Sequence, residues 1–351
     1  MPIAAVDLFC GIGGLTCGLK KAGVNVVAGI DIDETCEYAY RSNNHTNFIA
    51  KNIVDVTGEE IEKLYPENAS KILVGCAPCQ PFSKYTQRYR KEGHKDEKWK
   101  LLYQFQRLVD SIKPLIVSME NVPELIDEDV FFDFVRSLQM KGYYVSYSIV
   151  YCPDYGVPQS RKRLVLLASL LGNIQIIPPL YSPDKYITVR KAIGKLPKLE
   201  DGGKDEKDVI HCCSKLSKTN KERIKASVPG GTWMDWSEEL RLKCHKKETG
   251  KGYGAVYGRM KWDEPSPTIT TQFYGYGNGR FGHPEQDRAL SFREGAILQS
   301  FPKNYRFAKK NEKIKRRELG VHIGNAVPVK LGEAIGITII NHLVQYNVEV
   351  G

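Results

Sequence analysis

The sequence predicts an α/β protein: a parallel sheet covered by helices on both faces, joined to a second, less regular domain. Three observations lead there. Over the first half, short β-branched runs alternate with amphipathic stretches, as strand–helix–strand units do when both faces of their sheet are buried. The first unit turns through a glycine cluster, Gly11-Ile12-Gly13-Gly14. After about Gly172 the periodicity is lost, and proline, glycine and lysine become dense.

Ile3 to Phe9 is the first strand candidate, followed by the glycine turn and a helix-like stretch ending near Ala22-Gly23. Val24 to Ile32 reads as the second strand, with Asp31 and Asp33 at its close, and Ile72 to Gly75 as the third. Leu101, Leu102, Phe105, Leu108, Val109 and Ile112 recur at helical spacing and predict a helix over 99–112. Leu115 to Met119, Val145 to Val150 and Leu164 to Ala168 are further strands. Phe292 to Leu298 and Val329 to Val344 regain a helical pattern, the latter expected to pack back on the first domain.

At 351 residues the chain exceeds what one core usually holds. No apolar run approaches the roughly 20 residues that span a bilayer, and the N-terminus lacks a signal-peptide layout, so a cytoplasmic protein without a membrane partner is expected. Nine cysteines, an odd number, argue for reduced thiols over a disulfide framework. A formal charge of +10 suits either a polyanionic partner or a merely basic enzyme.

A strand running into a glycine turn and a helix lets a nucleotide-like ligand approach the backbone closely. Asp31 lies where a carboxylate can accept ribose hydroxyls; a tight turn without a ligand has the same form. Gly75-Cys76-Ala77-Pro78-Cys79-Gln80-Pro81-Phe82-Ser83 follows a strand and sets Cys79 between two prolines. Such a cysteine is either a nucleophile or a structural thiol. Half of a zinc site is a third reading, but Cys212-Cys213, the nearest pair, has the wrong spacing. Cys10, Cys17 and Cys36 read as structural. Glu120-Asn121-Val122 comes off the next strand, placed for proton transfer, and Gln159-Ser160-Arg161-Lys162-Arg163 precedes another. Each is either a site element or surface charge.

In order and spacing these segments resemble the cytosine-C5 DNA methyltransferases of bacterial restriction-modification type, along almost the whole chain. The matches are Phe9-x-Gly11-x-Gly13, Pro78-Cys79-Gln80, Glu120-Asn121-Val122, Gln159-x-Arg161-x-Arg163, the run from Arg293 to Pro302, and Gly324-Asn325-Ala326-Val327-Pro328. The resemblance implies a Rossmann-like S-adenosylmethionine-dependent methyltransferase fold with a smaller irregular target-recognition domain. Residues 1–178 plus 310–351 would form the catalytic domain and 179–309 the recognition domain. It implies that Cys79 adds to cytosine C6, that Glu120 holds the N3 and N4 edge, and that Arg163, helped by Arg161, bonds the O2 side. For S-adenosyl-L-methionine, Phe9 would stack on the adenine, Gly11 and Gly13 would admit the methionine portion, and Asp31 would hold the ribose. Asn52, Ile53, Pro78, Leu101, Asn325 and Val327 match other positions of that pocket, and no metal is implied.

Two departures stand out. Asn52 replaces an aspartate common in the family, which implies a weaker hold on the adenine amino group. Gly295 stands where the motif has alanine and reads as a local helix effect. The expected partner is double-stranded DNA, bound by a monomer, with a cognate restriction endonuclease acting on the same site. The basic stretch from Ser83 to Lys100 suits phosphates or is a solvated loop, and the aromatic run from Phe273 to Arg280 is either a DNA contact or a turn packing its rings inside. Competing readings are a tRNA cytosine methyltransferase, whose Cys-Phe-Thr signature is missing here, a catalytically silent regulator, and a nicotinamide-dependent dehydrogenase, which leaves Pro78-Cys79-Gln80 unexplained.

Overall fold

The computed structural model describes residues 2–78, 95–247, 254–310 and 312–350, the side chains of 95–100 excepted. Cys79 and the stretch from Ser83 to His94 therefore lie outside the described residues. The chain forms two compact units. The first comprises Met1–Tyr155, Lys162–Leu180 and Val327–Gly351, and the second Gly156–Arg161 with Tyr181–Ala326.

The first unit is built on β1 (Ile3–Leu8), β2 (Val26–Asp31), β3 (Asn47–Ala50), β4 (Ser70–Gly75), β5 (Ile116–Asn121), β6 (Tyr144–Tyr151) and β7 (Lys162–Ser169) in the order β3-β2-β1-β4-β5-β7-β6. Helices α1 (Gly14–Lys21), α2 (Glu37–Asn44), α3 (Gly58–Glu62), α4 (Lys95–Ile112), α5 (Asp129–Met140) and α10 (Val329–Gln345) belong to it. Central β1 is buried along its whole length, as a strand covered on both faces must be. Its even-numbered side chains (Ala4, Val6, Leu8) join Phe105 and Leu108 of α4 and Phe131 and Phe134 of α5 in one core.

The sheet departs from the all-parallel expectation. β1 to β5 pair in parallel, but β7 enters antiparallel between β5 and β6. The reason is covalent: no crossover helix separates β6 from β7, and parallel neighbours need a crossover of a dozen residues or more. The sequence reading also misses edge strand β3. Its four residues, Asn47-Phe48-Ile49-Ala50, are too few to register an alternation.

α10 packs on α1 through glycine. A Cβ on Gly18 would fall on the backbone of Val329, Gly332 and Glu333. α9 (Arg316–Asn325) and α10 make an apolar stretch long enough to cross a membrane, but its most apolar part is 67% buried and the helix is interrupted between Asn325 and Val329, as in the core of a folded unit.

The second unit holds α6 (Val189–Ile193), α7 (Lys218–Ala226), α8 (Phe292–Leu298) and α9. With isolated bridges and no described sheet, it satisfies buried backbone carbonyls with arginines. Arg259 donates to the carbonyls of Ile224, Ser227, His283 and Gln286. Leu216, Ile224, Trp233, Trp236 and Tyr276 form its apolar centre. The aromatic run resolves toward packing: Phe273 and Tyr276 are fully buried, Phe273 lies edge-on to Phe292, and Tyr276 bonds Ser227. The Gly295 reading needs correction, because the Phe273 ring occupies the space its Cβ would take. The glycine there is a packing requirement, not a local helix effect.

Candidate active site

The carboxyl ends of β1, β2, β4 and β5 share one edge of the first sheet. Antiparallel β7 begins at that same edge: Glu120 pairs with Val165 and Asn121 with Leu164. This brings Arg163 to Glu120. Arg163 Nε lies 2.8 Å from Glu120 Oε1, with the carboxylate 2% and the guanidinium 13% exposed. On the other oxygen the Cys76 thiol donates to Glu120 Oε2 at 2.8 Å. Burial pushes the Glu120 carboxyl up, and the Arg163 charge and the Cys76 hydrogen bond counter it only in part. Burial and then Glu120 hold the Cys76 thiol well above its ordinary range, so it stays protonated at neutral pH.

Asn121 secures the neighbouring segment. Its Nδ2 donates to the Ala77 carbonyl at 3.1 Å, while its Oδ1 accepts from Val122 N at 2.8 Å. The amide thus ties the end of β5 to the residues entering Pro78, the last described position before Cys79. Sequence reasoning paired Asn121 with Glu120 but assigned it no task. Cys10, Cys17 and Cys36 are buried thiols.

Around the β1–α1 turn, Gly11 and Gly13 hold φ of +49° and +84°, the left-handed region that favours glycine. A Cβ on Gly11 would meet nothing, so the turn faces open space. Phe9 is also left-handed at φ +59°, a costly conformation for a side chain of its size and one that clusters at ligand sites. Asp31 accepts from Gly11 N through Oδ2 at 2.8 Å and from Asp33 N through Oδ1 at 2.9 Å. Two exposed apolar residues, Ile32 and Val54, stand beside Asp31 and Ile53. The sequence reading took Ile32 only as the end of the second strand, whereas β2 stops at Asp31 and leaves it exposed; its signal is an aliphatic side chain set between two aspartates. Asn52 Oδ1 accepts from Val54 N at 3.2 Å and caps the short turn that follows, so the oxygen considered for an adenine amino group already has one donor. Ile53 is buried, and Leu101 packs half-buried against the core. These features fit an adenosyl cofactor: a backbone that a ligand can approach, a strand-end carboxylate and flanking apolar surface.

Beneath the turn, Asp7 is 1% exposed, and Thr16 Oγ1 donates to its Oδ2 at 2.6 Å. Its Oδ1 has no hydrogen-bond partner among the described residues. Burial, opposed by Thr16 and reinforced by Asp31, pushes its carboxyl up to about 7. A carboxyl raised on folding contributes stability that is complete below its unfolded pKa, near 3.9, and is lost as pH rises through the folded value. Between those limits native stability should fall by about 1.4 kcal/mol per pH unit from this group. Asp7→Asn keeps an acceptor for Thr16 and should lack that slope. Urea unfolding at pH 5.5 and pH 8 checks this: identical pH dependence in the two proteins would show that Asp7 ionises as freely folded as unfolded.

The remaining expected site residues belong to the second unit or to its junction. Arg161, 4% exposed, is held there: Nη1 donates to the Ile269 carbonyl at 3.0 Å, and both Nη atoms reach the Gly324 carbonyl at 3.5 Å. Its Nε has no hydrogen-bond partner among the described residues. Asn325 ends α9 in the second unit, and Val327 opens the last segment of the first. The matched run from Arg293 to Pro302 is internal scaffolding, with Arg293 paired to Asp208 and Gln299 bonded to the Ile323 carbonyl.

The strand order with its antiparallel seventh strand, and the glycine turn at the carboxyl edge, define the Rossmann-like fold of S-adenosylmethionine-dependent methyltransferases. The same fold occurs in a crystal structure of an Escherichia coli prophage protein assigned as a DNA modification methyltransferase (TM-score 0.73, 21% identity, 97% of this chain and 99% of that one). A model of the C-5 cytosine-specific DNA methylase family matches residues 3–341, and the chain belongs to that family. It is therefore an enzyme, a cytosine-C5 DNA methyltransferase. It is 56% identical over 339 residues to the type II methylase M.HgiDII of Herpetosiphon aurantiacus (96% of this chain, 94% of the relative). To the type II methyltransferase M.Sau96I of Staphylococcus aureus it is 30% identical (97% and 76%).

Proposed function

We propose that this enzyme methylates carbon 5 of a cytosine flipped out of a specific duplex sequence, through a covalent adduct between Cys79 and cytosine C6, as the modifying half of a restriction-modification system. The observation that carries the reading is the buried Glu120, held between Arg163 and Cys76 at the strand edge where the chain runs into Pro78-Cys79. A stacked base hides both faces of C5 and C6, so the cytosine must leave the helix at a cost of a few kcal/mol.

The Cys79 thiolate forms a bond to C6, and the ring's electron pair moves to C5. Glu120 shares a proton with N3 and bonds the N4 amino group, drawing charge off the ring as the adduct forms. Arg163 fixes Glu120 and stabilises charge on the O2 side, and Arg161, bound to the carbonyls of Ile269 and Gly324, helps by fixing the segment that leads into β7. When bound, S-adenosyl-L-methionine would supply an electrophilic methyl group for the C5 electron pair and leave as the neutral thioether S-adenosylhomocysteine. The C5 proton then passes to water, its bonding pair re-forms the C5–C6 double bond, and the C6–S bond breaks to release Cys79 as thiolate. Phe9, Gly11, Gly13, Asp31, Asn52, Ile53, Pro78, Leu101, Asn325 and Val327 would hold the cofactor, with Ile32 added as apolar cover for the adenine. The second unit would read the base edges, the protein acting as a monomer in a prokaryotic cytosol beside a nuclease of the same specificity.

Tritiated methyl transfer from S-adenosylmethionine to unmethylated plasmid DNA and to bulk tRNA, followed by bisulfite sequencing, tests this. Label in DNA at one short sequence context is expected. Label confined to tRNA would replace the DNA reading with an RNA one.

A further inference from the structure

Glu120 is the one carboxylate at the β5 edge that the mechanism uses, and its two oxygens are held unequally. Arg163 brings a permanent charge to Oε1 at 2.8 Å. Cys76 brings a neutral thiol to Oε2 at the same distance, from the residue that follows β4. No mechanistic role attaches to Cys76, and its raised thiol makes it a poor nucleophile. An ionised carboxylate offers about four lone-pair sites, two on each oxygen. Cys76 takes one pair on Oε2, while Oε1 faces Arg163 as an ion pair and accepts no hydrogen bond among the described residues, so both oxygens keep open pairs for the two adjacent hydrogens that a cytosine protonated at N3 presents along its N3–N4 edge.

We propose that Cys76 is a positioning residue for the methyl-transfer reaction: its S–H group fixes the second oxygen of Glu120 so that the carboxylate's remaining lone pairs face the flipped base. The inference rests on the reading of Glu120 as the base-binding carboxylate. Among the described residues, the charged and titratable groups facing Glu120 are Cys76 after β4, Arg163 on β7 and Cys152 in the turn after β6, with Asp7 of β1 facing Cys76. Of these, Arg163 pairs with the carboxylate by charge and Cys76 hydrogen-bonds it, and both oppose the effect of burial. A donor to a carboxylate favours its ionised form, so removing the thiol raises the Glu120 pKa further, whereas a hydroxyl in its place preserves the donor.

The test compares native enzyme with Cys76→Ala and Cys76→Ser, and uses Glu120→Gln as the control. Methyl transfer to plasmid DNA is measured as kcat and KM from pH 5.5 to 9, with thermal unfolding to establish that each variant folds. In Cys76→Ala the pH limb that reports Glu120 is expected to move up by about one unit, the scale of one hydrogen bond to a charged group. Its kcat should fall about tenfold while KM for S-adenosylmethionine is unchanged. Cys76→Ser should restore both to near native. A Cys76→Ala profile superimposable on the native one, with Glu120→Gln inactive, overturns the positioning role while leaving the mechanism intact. Full activity in Glu120→Gln instead overturns the reading of Glu120 itself. If Cys76→Ala does not fold, the serine variant decides: a profile as displaced as a donorless site demands would contradict the proposal.

Discussion

Cys79→Ala is expected to lower methyl transfer by roughly four orders of magnitude or more, the scale on which loss of a covalent nucleophile acts. DNA and S-adenosylmethionine affinities should stay within a few-fold of native. The expectation follows from the ring's chemistry. Carbon 5 of cytosine is a weak nucleophile in an intact aromatic ring, and only addition at C6 places an electron pair on it. A free thiol is about 3% ionised at neutral pH but intrinsically very nucleophilic, and among the described residues no other group at the β4–β5 edge is a competent nucleophile. Cys76, three residues earlier, is held protonated by burial and by Glu120. Single-turnover transfer with binding measured separately decides the matter. Substantial turnover in the alanine variant would rule out a covalent adduct at Cys79.

Arg288→Ala should destabilise the second unit by about 3–5 kcal/mol, the usual cost of leaving a buried charge without its partner. Arg288 is fully buried and holds Glu294 through two parallel bonds, Nη1 to Oε2 at 2.8 Å and Nη2 to Oε1 at 2.7 Å. It also donates to the Ala289 carbonyl and to Gln286 Oε1. Burial alone would push the Glu294 carboxyl up, but the Arg288 bonds and charge, with His283 and the Ser291 amide, hold it below its ordinary value. Glu294 in turn closes the capping box with Ser291 that starts α8. Replacing both partners together, as Arg288→Met with Glu294→Leu, should cost far less than either single change, since neither then strands a charge. Denaturant unfolding of the four proteins measures the coupling; equal and additive losses would mean the pair contributes nothing as a pair.

Much of the fold was legible along the chain because the first unit obeys local rules. Strand candidates ending at Ile32, Gly75 and Met119 fall within two residues of the observed ends at Asp31, Gly75 and Asn121, and Leu101 to Ile112 repeat at the helical period. Edge strand β3 was not legible, because four residues carry too little pattern. The Phe273–Arg280 run was ambiguous for another reason: its aromatic and glycine content suits an exposed contact and a buried turn alike. Only its neighbours, Phe292, Ser227 and Gly295, distinguish the two.

The sequence by itself determined the family, through six ordered motifs, and with it which residue types stand at each strand end. Tertiary structure alone decided how those residues meet. Glu120 and Arg163 lie 43 positions apart and reach one another because β7 inserts antiparallel beside β5, a pairing set by the missing crossover and not by any pattern within either strand. The Cys76 contact is of the same kind, spanning 44 positions between adjacent parallel strands. Local periodicity specifies which face of an element is buried; strand order and direction specify what it is buried against.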